Sequence, residues 1–384
     1  MPIKVWDYLD EYLNDRDAIL AAVDRVFRSG QLILGPHVAE FEKAFAAYCG
    51  VGYGIGVDNG TNALMLGLKA LGVKPGSEVV TVSNTAVPTV SAIVAAGGVP
   101  RFVDIDRRSY LMDVNLLEGA ITERTACVLP VHLFGQCAPM SDVRRIAEAR
   151  GVPVLEDCSQ SHGATQDGRT CGSMSDLAAF SLYPTKTLGA YGDGGIVVTN
   201  RDDLNARVRR LRFYGMDGFG TADPGAGKAK FTYAAVEHGY NSRLDEVQAA
   251  ILLLKLARLD ADITRRQAIA AEYERALKST SLMLPRTRPG NTHVYYLYVC
   301  RHPERDRILS EMARHDVLLN VSYPYPVHLM PAYRECGYQE GDFPETERAA
   351  HEILSLPMYP TLTETQQASV CRALGEVLGE TVHV

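Results

Sequence analysis

What this chain lacks narrows it first. It has no basic excess: Lys plus Arg is 39 against 46 for Asp plus Glu, a formal net charge of −7. A protein whose main task is coating nucleic acid is expected to be basic, so that class is excluded. Its apolar runs all fall short of the roughly 20 residues that a membrane-spanning helix needs. The first residues, MPIKVWDYLDEYLNDRD, carry acids where a secretory signal needs a basic start and an apolar run. Eight cysteines stand at 49, 127, 137, 158, 171, 300, 336 and 371, none of them in a Cys-x-x-Cys pair. At that density a disulfide framework is not expected, and the pattern reads as reduced thiols in a cytoplasm.

Several site motifs are missing as well. Gly54-Ile-Gly56 is followed by Asn59 and Gly60 and does not complete a dinucleotide fingerprint. Gly225-Ala-Gly227-Lys228 has Ala222 where a P-loop needs its leading glycine, and Ala229 follows the lysine. His351-Glu352 is followed by Ser355 rather than a second histidine, and no G-x-S-x-G occurs. Metal and P-loop chemistry are therefore not expected. No internal repeat and no low-complexity segment is present.

What is there is an ordinary globular composition, 46% hydrophobic and 22% charged, which excludes a disordered or coiled-coil chain. At about 150 residues per domain, 384 residues imply two to three domains, or a large one with a smaller one. Residues 53–57, 78–82, 101–104, 126–131, 152–156, 177–182 and 195–199 read as strands. Several lack polar alternation, as expected of strands covered on both faces. Helical segments at 62–71, 140–150 and 202–211 lie between or beside them, so an α/β domain with a mostly parallel sheet is expected. Residues 216–238 read as a long surface loop. A helical stretch follows at 243–278, whose run 251–254 is apolar nearly all round and so buried or at an interface. Beyond Pro285 a strand at 294–300, a helix at 303–315, a Tyr/Pro-rich loop at 323–328 and a helix near 345–354 suggest a smaller α+β domain. The expected division is 1–250, a large α/β domain with an N-terminal helical segment, and 251–384, a connecting helix with the smaller α+β domain.

Three lone features carry the chemistry. Asp157 follows a strand, and ligands of parallel α/β sheets bind at the carboxyl ends of strands. A helix or turn cap is the plainer reading. Lys186 lies among apolar and small residues before a glycine-rich turn. Most lysines are simply solvated, but a desolvated one can act as a Schiff-base nucleophile. Asp58-Asn-Gly-Thr-Asn62 joins a strand to a helix, where amides and the Thr61 hydroxyl could hold a phosphate. It could equally be an Asn-Gly turn with a threonine cap. Taken together, an imine-forming lysine, a carboxylate for a pyridine nitrogen and a phosphate anchor are what pyridoxal 5′-phosphate requires.

The sequence resembles the DegT/DnrJ/EryC1/StrS family of pyridoxal-phosphate sugar aminotransferases over nearly its whole length. The matching segments are Asp58-Asn-Gly-Thr-Asn-Ala-Leu64, Pro130-Val-His-Leu-Phe-Gly-Gln136, Glu156-Asp-Cys-Ser-Gln-Ser-His-Gly163, Phe180-Ser-Leu-Tyr-Pro-Thr-Lys186 and Gly239-Tyr-Asn-Ser-Arg-Leu-Asp-Glu-Val-Gln-Ala-Ala250. The resemblance implies the fold-type-I, aspartate-aminotransferase-like architecture. It implies that Lys186 forms the imine and shuttles a proton, and that Asp157 partners the pyridinium nitrogen. Gln160 would lie beside the ring hydroxyl, and Gly60, Thr61 and Ser181 would cradle the phosphate. Asn241 would reach the phosphate of the neighbouring subunit, which implies a homodimer with shared active sites. His162 is expected at the catalytic centre. Tyr183, Tyr323 and His328 are expected on the substrate side, where a surface aromatic or a structural histidine is the plainer alternative.

One departure stands out: Ala86, in Ser83-Asn-Thr-Ala-Val-Pro-Thr89, occupies the place where many members carry an aromatic that stacks on the pyridine ring. The segment, with the glycine run after Lys186, resembles the subgroup that aminates C3 of a 3-keto-6-deoxy sugar nucleotide, using L-glutamate as donor and deoxythymidine diphosphate as carrier. A C4 aminotransferase and a regulatory protein on the same scaffold are the alternatives. The dehydratase branch carries histidine in place of Lys186. Arg212, Lys228 and Arg243 are the cations considered for the diphosphate.

Overall fold

The computed structural model describes residues 2–217 and 234–383. Most of the segment read as a long loop, with Lys228, lies outside the described residues.

Seven strands form the layer that organises the molecule. They are β1 (Tyr53–Val57), β2 (Glu78–Val82), β3 (Val99–Val103), β4 (Thr125–Val128), β5 (Leu155–Asp157), β6 (Leu177–Ser181) and β7 (Gly195–Thr199). β2 pairs in parallel with β3 and β4. β6 pairs in parallel with β5 and antiparallel with β7, which is antiparallel to β1. Isolated parallel bridges, Val128 with Val154 and Val131 with Asp157, join the two groups. The spatial order is thus β3-β2-β4-β5-β6-β7-β1, with β7 alone running against the rest. The expected mostly parallel sheet is what forms. Ile55, Val80, Phe180 and Val197 are fully buried, because helices cover both faces and no strand needs a polar side.

The N-terminal part supplies α1 (Leu9–Ser29) and α2 (Pro36–Cys49). α3 (Gly60–Ala70) follows β1, and α4 (Val87–Ala95) follows β2. The stretch expected as one helix over 243–278 is two, α5 (Glu246–Leu256) and α6 (Leu259–Leu277), with Ala257 and Arg258 between them. A second core gathers Ile269, Tyr273, Tyr298, Ile308, Leu354 and Leu374. It packs around β8 (Tyr298–Arg301) and its antiparallel partner β9 (Ile353–Leu356). The helix expected near 345–354 ends at Glu352, and β9 takes its place. A segment as short as Ile353-Leu-Ser-Leu356 fits either period, and pairing with β8 decides it. The N-terminal Ile3 pairs with Val317 and packs on this second core.

The cysteine expectation is corrected at one pair. Cys137 and Cys171 form a disulfide across a 34-residue separation, and the other six cysteines are free. Folding brings two distant loops together, which no local spacing reveals. Among the described residues, no helix is long and apolar enough to cross a membrane.

Candidate active site

The carboxyl ends of β5 and β6 and the amino end of α3 meet at a cavity of about 320 Å³. Gly60, Thr61, Asp157, Gln160, Ser181, Tyr183 and Lys186 all line it, so seven of the expected site residues converge although they span 127 positions of the chain.

One end of the cavity is built by α3. Asn59 caps the helix by accepting from the Asn62 amide at 2.8 Å, and its carbonyl takes the Ala63 amide at 3.0 Å. That leaves the first-turn amides of Gly60 and Thr61 at the cavity wall, where a helix has no internal acceptors and carries partial positive charge. Gly60 is required for closeness: a Cβ there would lie 2.5 Å from the Ser181 Cβ. This cradle suits a dianionic phosphate held by amides and hydroxyls.

Asp157 also lines the cavity and is 3% exposed. Its Oδ1 accepts from the Ser159 amide at 3.1 Å and its Oδ2 from the Thr89 hydroxyl at 2.8 Å. Its neighbour Glu156 points to the opposite face of the strand, as period-2 alternation requires. There His132, Gly172, Met174 and Ser175 all donate to it. Burial opposes its charge, yet these donors hold its carboxyl below the ordinary value. Lys186 lines the same cavity, its Nζ 4.6 Å from the centre of the Tyr296 ring. The Tyr296 hydroxyl is 3.0 Å from that of Thr185.

Gln160 is tied at both amide atoms: it accepts from the Phe134 amide at 2.8 Å and donates to the Tyr323 hydroxyl at 2.5 Å. Tyr323 itself lines a second cavity of about 430 Å³, which shares Thr185 and Tyr296 with the first. Tyr183 is half exposed at the mouth.

Two histidines are not where they were expected. His162 is fully buried against Phe45 and Phe180 and does not line the cavity. Burial, with the Lys186 charge adding, pushes it down to about 3. His328 is also buried, its Nδ1 2.6 Å from the Ser83 hydroxyl and its Nε2 3.1 Å from Glu347. Both ring nitrogens are occupied by the protein, which is the structural-histidine alternative. Asn241 is exposed and lines no part of this cavity. Its neighbour Ser242 is buried and bonds to Asp58 at 2.5 Å, which ties the segment to the start of α3. Arg212 is not free for a diphosphate: it is buried on Glu42 and the Gly56 carbonyl. Arg243 rests on the Phe213 and Tyr214 rings.

Sequence reasoning missed Thr85, Thr89, Thr185, Asp193 and Tyr296 on the cavity wall. Thr85 and Thr89 flank Ala86, in a segment noted only for its missing aromatic. Tyr296 stands 110 positions from Lys186, and nothing local marks it.

Residues 14–375 match the model of the DegT/DnrJ/EryC1/StrS aminotransferase family. The chain belongs to that family. It is 50% identical over 383 residues to a dTDP-3-amino-3,4,6-trideoxy-alpha-D-glucose transaminase of Micromonospora megalomicea subsp. nigra, covering 98% of this chain and 99% of that one. A transaminase of the same name from Streptomyces venezuelae is 41% identical, over 93% and 91% of the two chains. Among solved structures, S. venezuelae DesV in complex with a ketimine intermediate superposes with a TM-score of 0.92 at 40% identity, covering 98% of each chain. NtdA of Bacillus subtilis with bound pyridoxamine phosphate gives 0.85 at 30% identity, over 96% of this chain and 82% of that one. The fold is therefore the fold-type-I transferase architecture, and the protein is a pyridoxal-phosphate-dependent nucleotide-sugar aminotransferase.

Proposed function

We propose that this enzyme moves the amino group of L-glutamate to C3 of a deoxythymidine-diphosphate-linked 3-keto-6-deoxyhexose. The observation that carries the regiochemistry is the 50% identity, over nearly the whole of both chains, to a transaminase named for a dTDP-3-amino sugar. The cavity supports the chemistry. When bound, pyridoxal phosphate supplies an electron sink and a carrier for the amino group. The amides of Gly60 and Thr61 and the hydroxyls of Thr61 and Ser181 would hold its phosphate. Asp157 would partner its ring nitrogen, and Gln160 would lie beside its ring hydroxyl. Lys186 takes the proton from the donor's α-carbon in one half-reaction and returns one to the sugar in the other. Tyr183 and Tyr323 contact the sugar side. Asn241, exposed at the surface, serves the site of a second subunit, so the working unit is a homodimer. The large unit is 1–250 and the smaller one 251–384, and the location is cytoplasmic.

Purified protein with added cofactor should show a visible absorption band that glutamate bleaches and that Lys186→Ala lacks. With a 3-keto nucleotide sugar, NMR should then place the new amine at C3. An amine at C4 from a 4-keto substrate would overturn the regiochemistry. A band that glutamate leaves untouched would favour a binding role, a possibility raised by the 39% identical pleiotropic regulatory protein of Geobacillus stearothermophilus.

A further inference from the structure

The segment that departs from expectation at Ala86 holds two threonines that the catalytic scheme does not use. Thr85 and Thr89 are each only 1% exposed, and both line the cavity. Thr89 sits in the first turn of α4 and donates its hydroxyl proton to Asp157 Oδ2 at 2.8 Å. The hydroxyls of Thr85 and Thr89 are 2.9 Å apart. Each hydroxyl has one proton. An ionised carboxylate can only accept, so the proton of Thr89 is committed to Asp157 and Thr85 must donate to Thr89. The result is a one-directional chain, Thr85 to Thr89 to Asp157, in which each bond polarises the next.

From this we infer that Thr89, backed by Thr85, is a positioning residue for Asp157. Two anchors on opposite oxygens, Ser159 on Oδ1 and Thr89 on Oδ2, fix the plane of the carboxylate. The main chain beneath it is fixed as well, since the Asp157 amide bonds to the Pro130 carbonyl at 2.9 Å and the Asp157 carbonyl accepts from His132 at 3.0 Å. Removing Thr89 leaves a carboxylate held by a single amide and free to turn about its last bond. The inference rests on the role of Asp157 proposed above, at the ring nitrogen of the cofactor.

Thr89→Val keeps the volume and deletes the donor. If Thr89 positions Asp157, the ring nitrogen carries less charge in the variant, and the cofactor's visible band titrates at a higher pH than in the wild type. The glutamate half-reaction should slow about tenfold with KM for glutamate nearly unchanged, since orientation matters most in the transition state. Thr89→Ser, which retains the hydroxyl, should restore both. Thr85→Val should shift the titration the same way by less. Far-ultraviolet circular dichroism checks that each variant folds. A shift to lower pH would mean that Thr89 merely damps the basicity of Asp157, and would overturn the inference. So would an unshifted band, with or without slower turnover, or a serine variant as impaired as valine. The glutamate reaction needs no sugar. A wild type without a visible band would count against the proposed function, whereas a normal wild type with an unaltered Thr89→Val counts only against the positioning role.

Discussion

His162 shows how strongly a single buried ring can tie stability to pH. It is enclosed by Phe45 and Phe180, and burial lowers it from 6.5 to about 3. His293, stacked on Tyr295, is lowered to about 3 by the same cause. In the unfolded chain both titrate near the ordinary histidine value. Between those limits the unfolded chain binds protons that the folded one refuses, so stability is full above about pH 6.5 and falls as pH drops toward 3. Each ring contributes up to about 1.4 kcal/mol per pH unit in that window. Urea unfolding at pH 7, 6 and 5 should show the loss, and His162→Phe should remove about one proton from the slope. An unchanged slope in that variant would mean that the ring is charged in the folded state. Glu42 acts at lower pH. Burial opposes its charge, but Arg212 and Arg209 hold its carboxyl below 4.5, so the stability it gives is present above that value and lost as pH falls through the folded value. Lys186 and Asp157 were legible as cavity residues because each lies at or just after the carboxyl end of a sheet strand, where ligands of such sheets bind. The buried places of His162 and His328 were not, since a histidine in a motif looks the same whether a ligand or a phenyl ring surrounds it.

Elements were the most legible level where burial on both faces erased polar alternation. β1, β2 and β7 lie where their sequences indicate, and each is a short β-rich run bounded by turn residues. Boundaries drifted where a bridge, and not a full ladder, holds the chain, as at β5, which begins three residues later than its apolar run. The junction of β6 and α3 is the element contact on which the phosphate end depends. A methyl at position 60 would meet the Ser181 Cα at 2.8 Å as well as its Cβ, and main chain cannot step aside as a side-chain tip can. Gly60→Ala should therefore push α3 off the strand and weaken cofactor binding by about tenfold or more, on the scale of one overpacked contact. Equilibrium dialysis of the apoprotein with pyridoxal phosphate measures this. Wild-type affinity in the variant would show that the helix end is compliant and that close approach is not what forms the cradle.

At the scale of the whole molecule, the pairing of Cys137 with Cys171 lay beyond local pattern. Denatured protein should titrate six thiols, rising to eight after reduction, because six of the eight cysteines are free. Eight thiols before reduction would mean that the pair is reduced in solution. The exposed surface of α1 bears on association. At about 100° per residue, Leu9, Leu13, Leu20 and Phe27 fall within an arc of roughly 40° on this helix. All four are exposed, from 45% at Leu20 to 61% at Phe27. Ile19, Ala22 and Val26, on a different face, are the residues that bury against the rest of the chain. Leu32 and Ile33, just beyond the helix, are also exposed. One apolar stripe is thus spent on the fold, and a second remains, of the kind that marks an interface. The homodimer proposed above would cover this stripe. Light scattering should give twice the 42.0 kDa chain mass for the wild type. The double variant Leu13→Glu with Phe27→Glu should give the single mass and lose cofactor affinity with it, since the phosphate would then lack its second-subunit contact. A variant that stays dimeric would place the interface elsewhere. A monomeric variant with undiminished affinity would mean that each chain completes its own site.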